Sequence, residues 1–167
     1  MHILLIMRHA KSDWSANVDD FDRPLSKRGY KDAKKMGTWL KQQKLVPDLI
    51  VSSPATRTKQ TISIVCDQLG KNAPETIWDD RIYETGLHDL LQVVTEHGKN
   101  ARCMLLTGHN PGLDHLVDYL VKDEPPRSAT GKLMTTAAIA ILDYGNAGIN
   151  GKKQSARLLQ VARPKEI

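Results

Sequence analysis

Two arginines and two histidines stand out as candidates for chemistry: Arg8, His9, Arg57 and His109. Each follows a short apolar run, and these runs cover residues 3–7, 49–51 and 103–106. Guanidinium groups bind phosphoryl oxygens through charge-assisted hydrogen bonds, often in pairs. A neutral imidazole can accept a phosphoryl group covalently. The four residues therefore predict phosphoryl-transfer chemistry, provided that the fold brings them together.

The segments around Arg57 and His109 add two helix starts to this pattern. Arg57 lies in SSPATRT and His109 in GHNPG, and each segment leads into a helical pattern. Helix amino termini favour anions through their free N–H groups and the helix dipole. Each motif alone also fits a structural role, such as a hydrogen-bonded histidine, a capped helix with a surface arginine, or a turn in which Asn110 caps the next helix. Their joint occurrence favours one phosphate site.

Short β-like runs alternate with longer helical patterns along the whole chain. Strands are predicted at residues 2–7, 49–51, 76–78, 103–106, 137–142 and 156–161. Residues 13–24 and 122–132 are predicted loops, and residues 145–151 a turn. This alternation predicts a single α/β domain with a mostly parallel open sheet and helices on both faces. In such sheets ligands bind beyond the carboxyl ends of the strands.

Four helices complete the predicted fold. The first is capped by Ser26 and has apolar positions at Tyr30, Ala33, Met36, Gly37 and Leu40. The second begins at Ser53-Pro54, with Ser as the cap and Pro in the first turn, and ends near Leu69. The other two cover residues 87–97, closed by Gly98, and residues 112–121.

The bulk composition narrows the class of protein. The 167 residues are 40% hydrophobic and 26% charged, which is usual for one globular domain. No run approaches the roughly 20 apolar residues of a membrane span, and no secretory leader is evident, so we expect a cytoplasmic protein with no membrane partner. Cys66 and Cys103 lie in apolar stretches, which favours free thiols without excluding one disulfide. The net charge of +5 comes from Lys and Arg that are scattered along the chain without a nucleic-acid motif, so it favours a phosphorylated partner over nucleic acid.

The motifs together resemble the histidine phosphatase superfamily, which has the phosphoglycerate-mutase-like fold, and within it the short SixA-type phosphohistidine phosphatases. Arg8-His9-Ala10 is similar to the Arg-His-Gly signature, SSPATRTKQT carries the second arginine and GHNPG the second histidine. The segment Arg23-Pro24-Leu25-Ser26-Lys27-Arg28-Gly29 is similar to the entry of the first family helix. Two features differ: Lys11-Ser12 stand where many relatives have Glu-Thr, and Ser15 stands near a family Asn.

The resemblance implies that residues 1–167 form a single histidine phosphatase domain that needs no metal or other cofactor. It implies that His9 is the nucleophile and that Arg8, Arg57 and a protonated His109 bind the phosphoryl oxygens. His9 must then be neutral, and we expect the neighbouring positive charges to lower its pKa. Glu84 is the candidate general acid, although it could equally be an exposed loop residue.

The substrate expected from this resemblance is phosphohistidine in a protein, because the short chain has no insertion long enough to form an obvious lid over the site. One alternative is a phosphatase for a small phosphate ester. A second is a non-catalytic module that binds phosphorylated partners. The intact set of Arg8, His9, Arg57 and His109 counts against the second alternative.

Overall fold

Six strands form one sheet with helices packed on both faces in the computed structural model, which describes residues 1–167. The strands are β1 His2–Arg8, β2 Leu49–Ser52, β3 Thr76–Trp78, β4 Cys103–Gly108, β5 Ile139–Gly145 and β6 Arg157–Ala162. The α-helices are α1 Lys27–Gln42, α2 Thr56–Leu69, α3 Leu87–Gly98 and α4 Gly112–Leu120. Short 3-10 helices lie at Asp20–Asp22, Gly70–Asn72 and Asp80–Ile82.

The sheet order is β3-β2-β4-β1-β5-β6. The first four strands in that order are parallel. Strand β5 runs antiparallel to them, and β6 pairs antiparallel with β5, so β6 runs in the same direction as the first four. This confirms the prediction of an α/β fold with a mostly parallel sheet. Because β1, β2 and β4 are parallel, the residues that follow them lie at one edge of the sheet.

Alternating side chains of β1 pack into two separate hydrophobic cores. Leu5 faces α1 and α2, where it joins a core that includes Met36 and Val65. Leu4 and Ile6 face α3 and α4 and join the second core. A strand that is covered on both faces must be apolar throughout, which explains the continuous apolar run near the amino terminus.

Helix α1 confirms the predicted cap and corrects one predicted position. The Ser26 hydroxyl accepts a hydrogen bond from the N–H of Gly29 at 3.1 Å, as an N-cap does. Tyr30 was predicted on the buried face, but it is 46% exposed. The inward position is taken by Gly29, where an added Cβ would lie 2.1 Å from the Lys11 carbonyl oxygen. Only glycine lets the helix approach that loop so closely.

The predicted start of α2 is wrong by about two residues. The helix begins at Thr56, and neither Ser53 nor Pro54 belongs to it. The Ser53 N–H instead donates to the Thr107 carbonyl at 3.0 Å, and this bond holds residue 53 against the end of β4. The chain can turn into the helix only after that contact.

The remaining predicted elements are present with small shifts at their ends. Strand β3, α3 and α4 lie where the patterns placed them, and β5 and β6 begin two residues and one residue later than predicted. Cys66 and Cys103 are free thiols and half-buried. None of the helices is long and apolar enough to cross a membrane.

Candidate active site

The carboxyl edge of the sheet holds a cavity of about 350 Å³. All five residues that the sequence singled out line it: Arg8, His9, Arg57, Glu84 and His109. Strand register explains the central pair of histidines. Arg8 pairs with Gly108 across β1 and β4, and the His9 N–H donates to the Gly108 carbonyl at 3.1 Å. The imidazole rings of His9 and His109 are consequently 5.2 Å apart between centroids.

His9 is held in one tautomer and deprived of solvent. Its Nδ1–H donates to the Ala10 carbonyl at 2.7 Å, so the lone pair of the neutral ring lies on Nε2. The residue is only 6% exposed. Burial lowers the pKa of His9 to about 3, against the opposing hydrogen bond to Ala10, and the charges of His109, Arg57 and Arg8 lower it further. The expected direction of the pKa shift is correct, but its largest cause is burial and not the neighbouring charges.

The His109 ring is neutral in the unliganded protein near pH 7. Burial and then the charge of Arg57 lower the pKa of His109 to about 4. Its Nε2 lies 2.8 Å from the Ser53 hydroxyl oxygen. Ser53 already accepts a hydrogen bond from the Ala55 N–H, which favours Ser53 as the donor to Nε2 and a proton on Nδ1. The sequence suggested only a helix cap at Ser53.

The two arginines of the cavity are held by different parts of the chain. Arg8 donates from Nη1 to the Met134 carbonyl at 3.1 Å. Arg57 is 5% exposed and donates to the Asp20 carbonyl and carboxylate. Four buried side-chain polar atoms in the chain have no hydrogen-bond partner within the protein, and three of them belong to this cavity: Arg8 Nε, Arg57 Nε and His109 Nδ1. Such groups are costly to leave unpaired, so their clustering indicates a site built for an anion.

A carboxylate that sequence reasoning missed lies among these cations. Asp20 Oδ1 accepts from Arg23 Nη1 at 2.6 Å, and Asp20 Oδ2 accepts from the Tyr83 hydroxyl at 2.7 Å and from Arg57 Nη2 at 3.1 Å. The Tyr83 hydrogen bond, opposed by burial and aided by Arg23 and Arg57, lowers the pKa of Asp20 to about 2. Asp20 is therefore ionised near neutral pH. Nothing in the sequence distinguished it from the acidic residues on either side.

Glu84 lies at the mouth of the cavity, and its side chain is exposed. No hydrogen bond fixes its carboxylate. Its backbone φ of 51° lies in the left-handed region, which non-glycine residues rarely adopt.

Of the three positions where the sequence departs from many relatives, two line the cavity and one does not. Lys11 and Ser12 line the cavity, and the Ser12 hydroxyl accepts from Arg23 Nε at 3.1 Å. Ser15 does not line it and bonds to Asp13 instead. Nowhere do three or more His, Cys, Asp or Glu side chains converge as they would around a metal ion.

The loop between α4 and β5 supports Arg8 from the far side. The Met134 carbonyl accepts a hydrogen bond from Arg8 Nη1 and another from the Asn110 side-chain amide, the latter at 2.9 Å. Arg163, which follows β6 and is 4% exposed, holds this loop in turn. Its guanidinium donates to the carbonyls of Leu133 at 3.0 Å and Pro126 at 2.5 Å.

Known proteins show the same sequence features and the same fold. The family model described as histidine phosphatase superfamily (branch 1) matches residues 4–90. The phosphohistidine phosphatase SixA of Escherichia coli (strain K12) is 31% identical over 148 residues, which cover 87% of this chain and 87% of that protein. A structure of the protein histidine phosphatase SixA complexed with tungstate has a TM-score of 0.76 at 25% identity, and the match covers 98% of this chain and 97% of that one. A candidate phosphohistidine phosphatase SixA from Agrobacterium tumefaciens shares the fold with a TM-score of 0.82 at 24% identity over 98% of both chains.

Proposed function

This chain belongs to the histidine phosphatase superfamily, and we propose that it is a phosphatase that uses His9 as its nucleophile and phosphohistidine in a protein as its substrate. The proposed catalytic domain spans residues 1–167. The similarity to SixA phosphohistidine phosphatases supports the general activity. The proposal for the substrate depends on the groups in the cavity.

In the proposed first step, the Nε2 lone pair of His9 attacks phosphorus in line with the leaving group. The substrate ring carries a proton on its other nitrogen, so the bond between phosphorus and that ring breaks with departure of a neutral imidazole. As the new bond forms, the His9 ring becomes cationic, and its Nδ1–H bond to the Ala10 carbonyl strengthens because a charged donor bonds more strongly than a neutral one. Water then attacks the phosphorus on His9, which releases inorganic phosphate and restores the neutral ring.

Arg8, Arg57 and His109 are proposed to bind the phosphoryl oxygens during both steps. Preorganised donors of this kind stabilise charge as it shifts in the transition state. A bound phosphoryl dianion would raise the pKa of His109, opposite to the effect of burial, and so would favour the protonated ring. The protonated His109 of the family mechanism then belongs to the complex and not to the free protein.

The observation that carries the choice of substrate is the state of the two carboxylates. Asp20 is held ionised by three donors and has a pKa of about 2, so it is a poor proton donor near pH 7. Glu84 is exposed and held by no hydrogen bond. An alkoxide leaving group needs a positioned acid. A phosphohistidine ring that is protonated on its other nitrogen leaves as neutral imidazole, whose conjugate acid titrates at about 6.5, and needs no acid from the enzyme. This site therefore suits phosphohistidine.

The test compares two peptides of the same sequence, one with phosphohistidine and one with phosphoserine at the same position. We expect a higher kcat/KM for the phosphohistidine peptide. His9→Ala should abolish turnover, and Arg57→Ala and His109→Ala should each lower it by about a hundredfold or more. His115→Ala, which removes an exposed histidine on α4, is the matched control and should keep wild-type turnover.

Three results would contradict parts of this proposal. Near-normal turnover by His9→Ala, or a reversible loss of turnover in EDTA, would exclude the histidine mechanism. A wild-type preference for phosphoserine or a sugar phosphate would make the protein a phosphatase for esters. Binding of both peptides without any turnover would identify a non-catalytic phosphate-binding module.

A further inference from the structure

Helix α1 carries the entire excess of positive charge in this protein. The chain has 24 Lys and Arg residues and 19 Asp and Glu residues. Helix α1 holds six of those cations and one of those acids, so eighteen of each remain in the rest of the chain. The six cations are Lys27, Arg28, Lys31, Lys34, Lys35 and Lys41. Most Lys and Arg residues are scattered along the chain as expected, but the net positive charge is concentrated on α1.

All six cations lie on the exposed side of the helix. The buried side consists of small and apolar residues that pack against α2 and the sheet, and it includes Ala33, Met36 and Leu40. The single ion pair on the exposed side joins Arg28 to Asp32 at 3.5 Å. The five lysines of α1 make no ion pair. We call this exposed side of Lys27–Gln42 the α1 basic face.

The carboxyl-terminal segment extends the α1 basic face into a shallow groove. Lys35 Nζ donates to the Pro164 carbonyl at 2.5 Å, which holds that segment alongside the helix. Lys165 lines the groove opposite Lys31 and the half-buried Trp39. The groove thus adds one cation, Lys165, to those of the helix and places it near Trp39 of α1.

The first turn of α1 also touches the rim of the candidate active site. Ser26 donates to the Lys11 carbonyl through its backbone N–H at 2.9 Å and through its hydroxyl at 3.1 Å. Lys11 lines the cavity and lies two residues after His9. A helix of 16 residues is about 24 Å long. The α1 basic face therefore begins at the cavity rim and runs away from it for about that distance.

We propose that the α1 basic face is a docking surface for an acidic segment of the phosphoprotein substrate. This rests on the proposed function and adds to it a means of selecting protein substrates. A partner seated on α1 would place a phosphorylated side chain at the cavity, while its carboxylates face the unpaired lysines. Complementary charge of this kind speeds encounter and fixes orientation.

Other anionic partners fit the α1 basic face less well. A helix that lies on a membrane surface inserts apolar side chains into the lipid, whereas the apolar side of α1 is buried in the core. A nucleic-acid duplex offers phosphodiesters along a continuous rod and no phosphoryl monoester that could enter the adjoining cavity.

The test uses two phosphohistidine peptides that differ only in a flank of about twelve residues. One flank contains six Glu, and the other contains six Gln in the same places. Twelve extended residues reach about 40 Å, enough to follow the helix. In low salt we expect kcat/KM of the wild-type protein to be about tenfold higher for the acidic peptide, mainly through KM. The difference should shrink as salt screens the charges.

The variant that tests docking reverses the charge of three lysines on α1. Lys31→Glu, Lys34→Glu and Lys35→Glu together should remove the preference for the acidic peptide. The same variant should hydrolyse p-nitrophenyl phosphate at the wild-type rate, which also shows that it is folded.

The matched control reverses three exposed lysines on the α3 side of the sheet. Lys99→Glu, Lys152→Glu and Lys153→Glu change the net charge equally, and the preference should persist. Loss of the preference in this control would show that net charge alone acts, and would overturn the docking surface. Equal kcat/KM for both peptides on the wild-type protein would overturn it too.

A binding measurement separates failure of docking from failure of the proposed function. Fluorescence anisotropy of the unphosphorylated acidic flank should show binding to the wild-type protein and none to the α1 variant. If that binding is seen but neither phosphohistidine peptide is hydrolysed, the proposed substrate is wrong and docking stands. If a DNA duplex or phosphatidylserine vesicles bind the α1 basic face more tightly than the acidic peptide, the partner proposed here is wrong.

Discussion

Lowering the pH from 7 to 5 should leave His9 in its reactive, neutral form. A histidine with the usual pKa of about 6.5 would be only about 3% neutral at pH 5. With its pKa lowered to about 3, His9 would still be about 99% neutral. The fraction of reactive nucleophile at pH 5 is thus about thirtyfold larger than an exposed histidine would give, and burial is the largest cause of the difference.

The measurement is an NMR titration of the histidine ring resonances in the unliganded protein between pH 8 and pH 4. The His9 signals are identified by their loss in His9→Ala. They should hardly move over this range, whereas in urea every histidine should titrate near about 6.5. A midpoint for His9 near 6.5 in the folded protein would refute the claim that burial keeps the nucleophile neutral.

Arg57→Gln tests whether burial or neighbouring charge is the main cause of the low pKa of His9. Because burial lowers the pKa of His9 more than Arg57 does, most of the lowering should remain after this substitution. Arg102→Gln, at an exposed arginine, controls for the change in net charge. A return of the His9 pKa to about 6.5 in Arg57→Gln would show that the neighbouring charges, and not burial, were decisive.

Three further predictions concern the rim and its support. Glu84→Gln should slow hydrolysis of alkyl phosphates more than that of phosphohistidine, because only the alkoxide needs an acid; equal effects in kcat/KM would remove the leaving-group argument. Asp20→Asn should tighten binding of inorganic phosphate about fivefold, as roughly 1 kcal/mol of half-exposed ion pairing no longer competes for the arginines; weaker binding in calorimetry would show that Asp20 positions them instead. Gly29→Ala should lower the free energy of unfolding in urea by about 2 kcal/mol or more, since its Cβ would meet the Lys11 carbonyl. Gly86→Ala, whose Cβ meets open space, is the control for Gly29→Ala and should have a much smaller effect.

The sequence predicted the parts of the site that strands position. The apolar runs predicted that His9 and His109 both follow strands and so lie at one edge of the sheet, and the pairing of β1 with β4 brings them together. Asp20 could not be found in this way. It reaches the cavity through a 3-10 turn in a polar loop, and no periodicity marks which acidic residue of that loop points inward.

Long-range packing accounts for the other differences. The start of α2 shifted because Ser53 is tied to β4, a contact that local propensity cannot reveal. The charge state of His109 depends on how deeply its ring is buried, and that depends on the whole fold. The concentration of lysines on α1 was readable in the sequence, but only once the bounds of that helix were fixed.

Arg163 supports Arg8 through the loop that contains Met134, and this affects when the growing chain can first bind phosphate. A nascent chain that ends at Leu142 already contains the residues of the cavity, four complete strands of the sheet and the first part of β5. The Met134 carbonyl that accepts from Arg8 lies in a loop that would still lack Arg163, whose guanidinium binds the carbonyls of Leu133 and Pro126. At about 5 to 20 residues per second, the ribosome adds Arg163 a second or more later. Phosphate binding should therefore be acquired late in translation, after most of the sheet has been made, because one of the earliest residues of the site is oriented by one of the last.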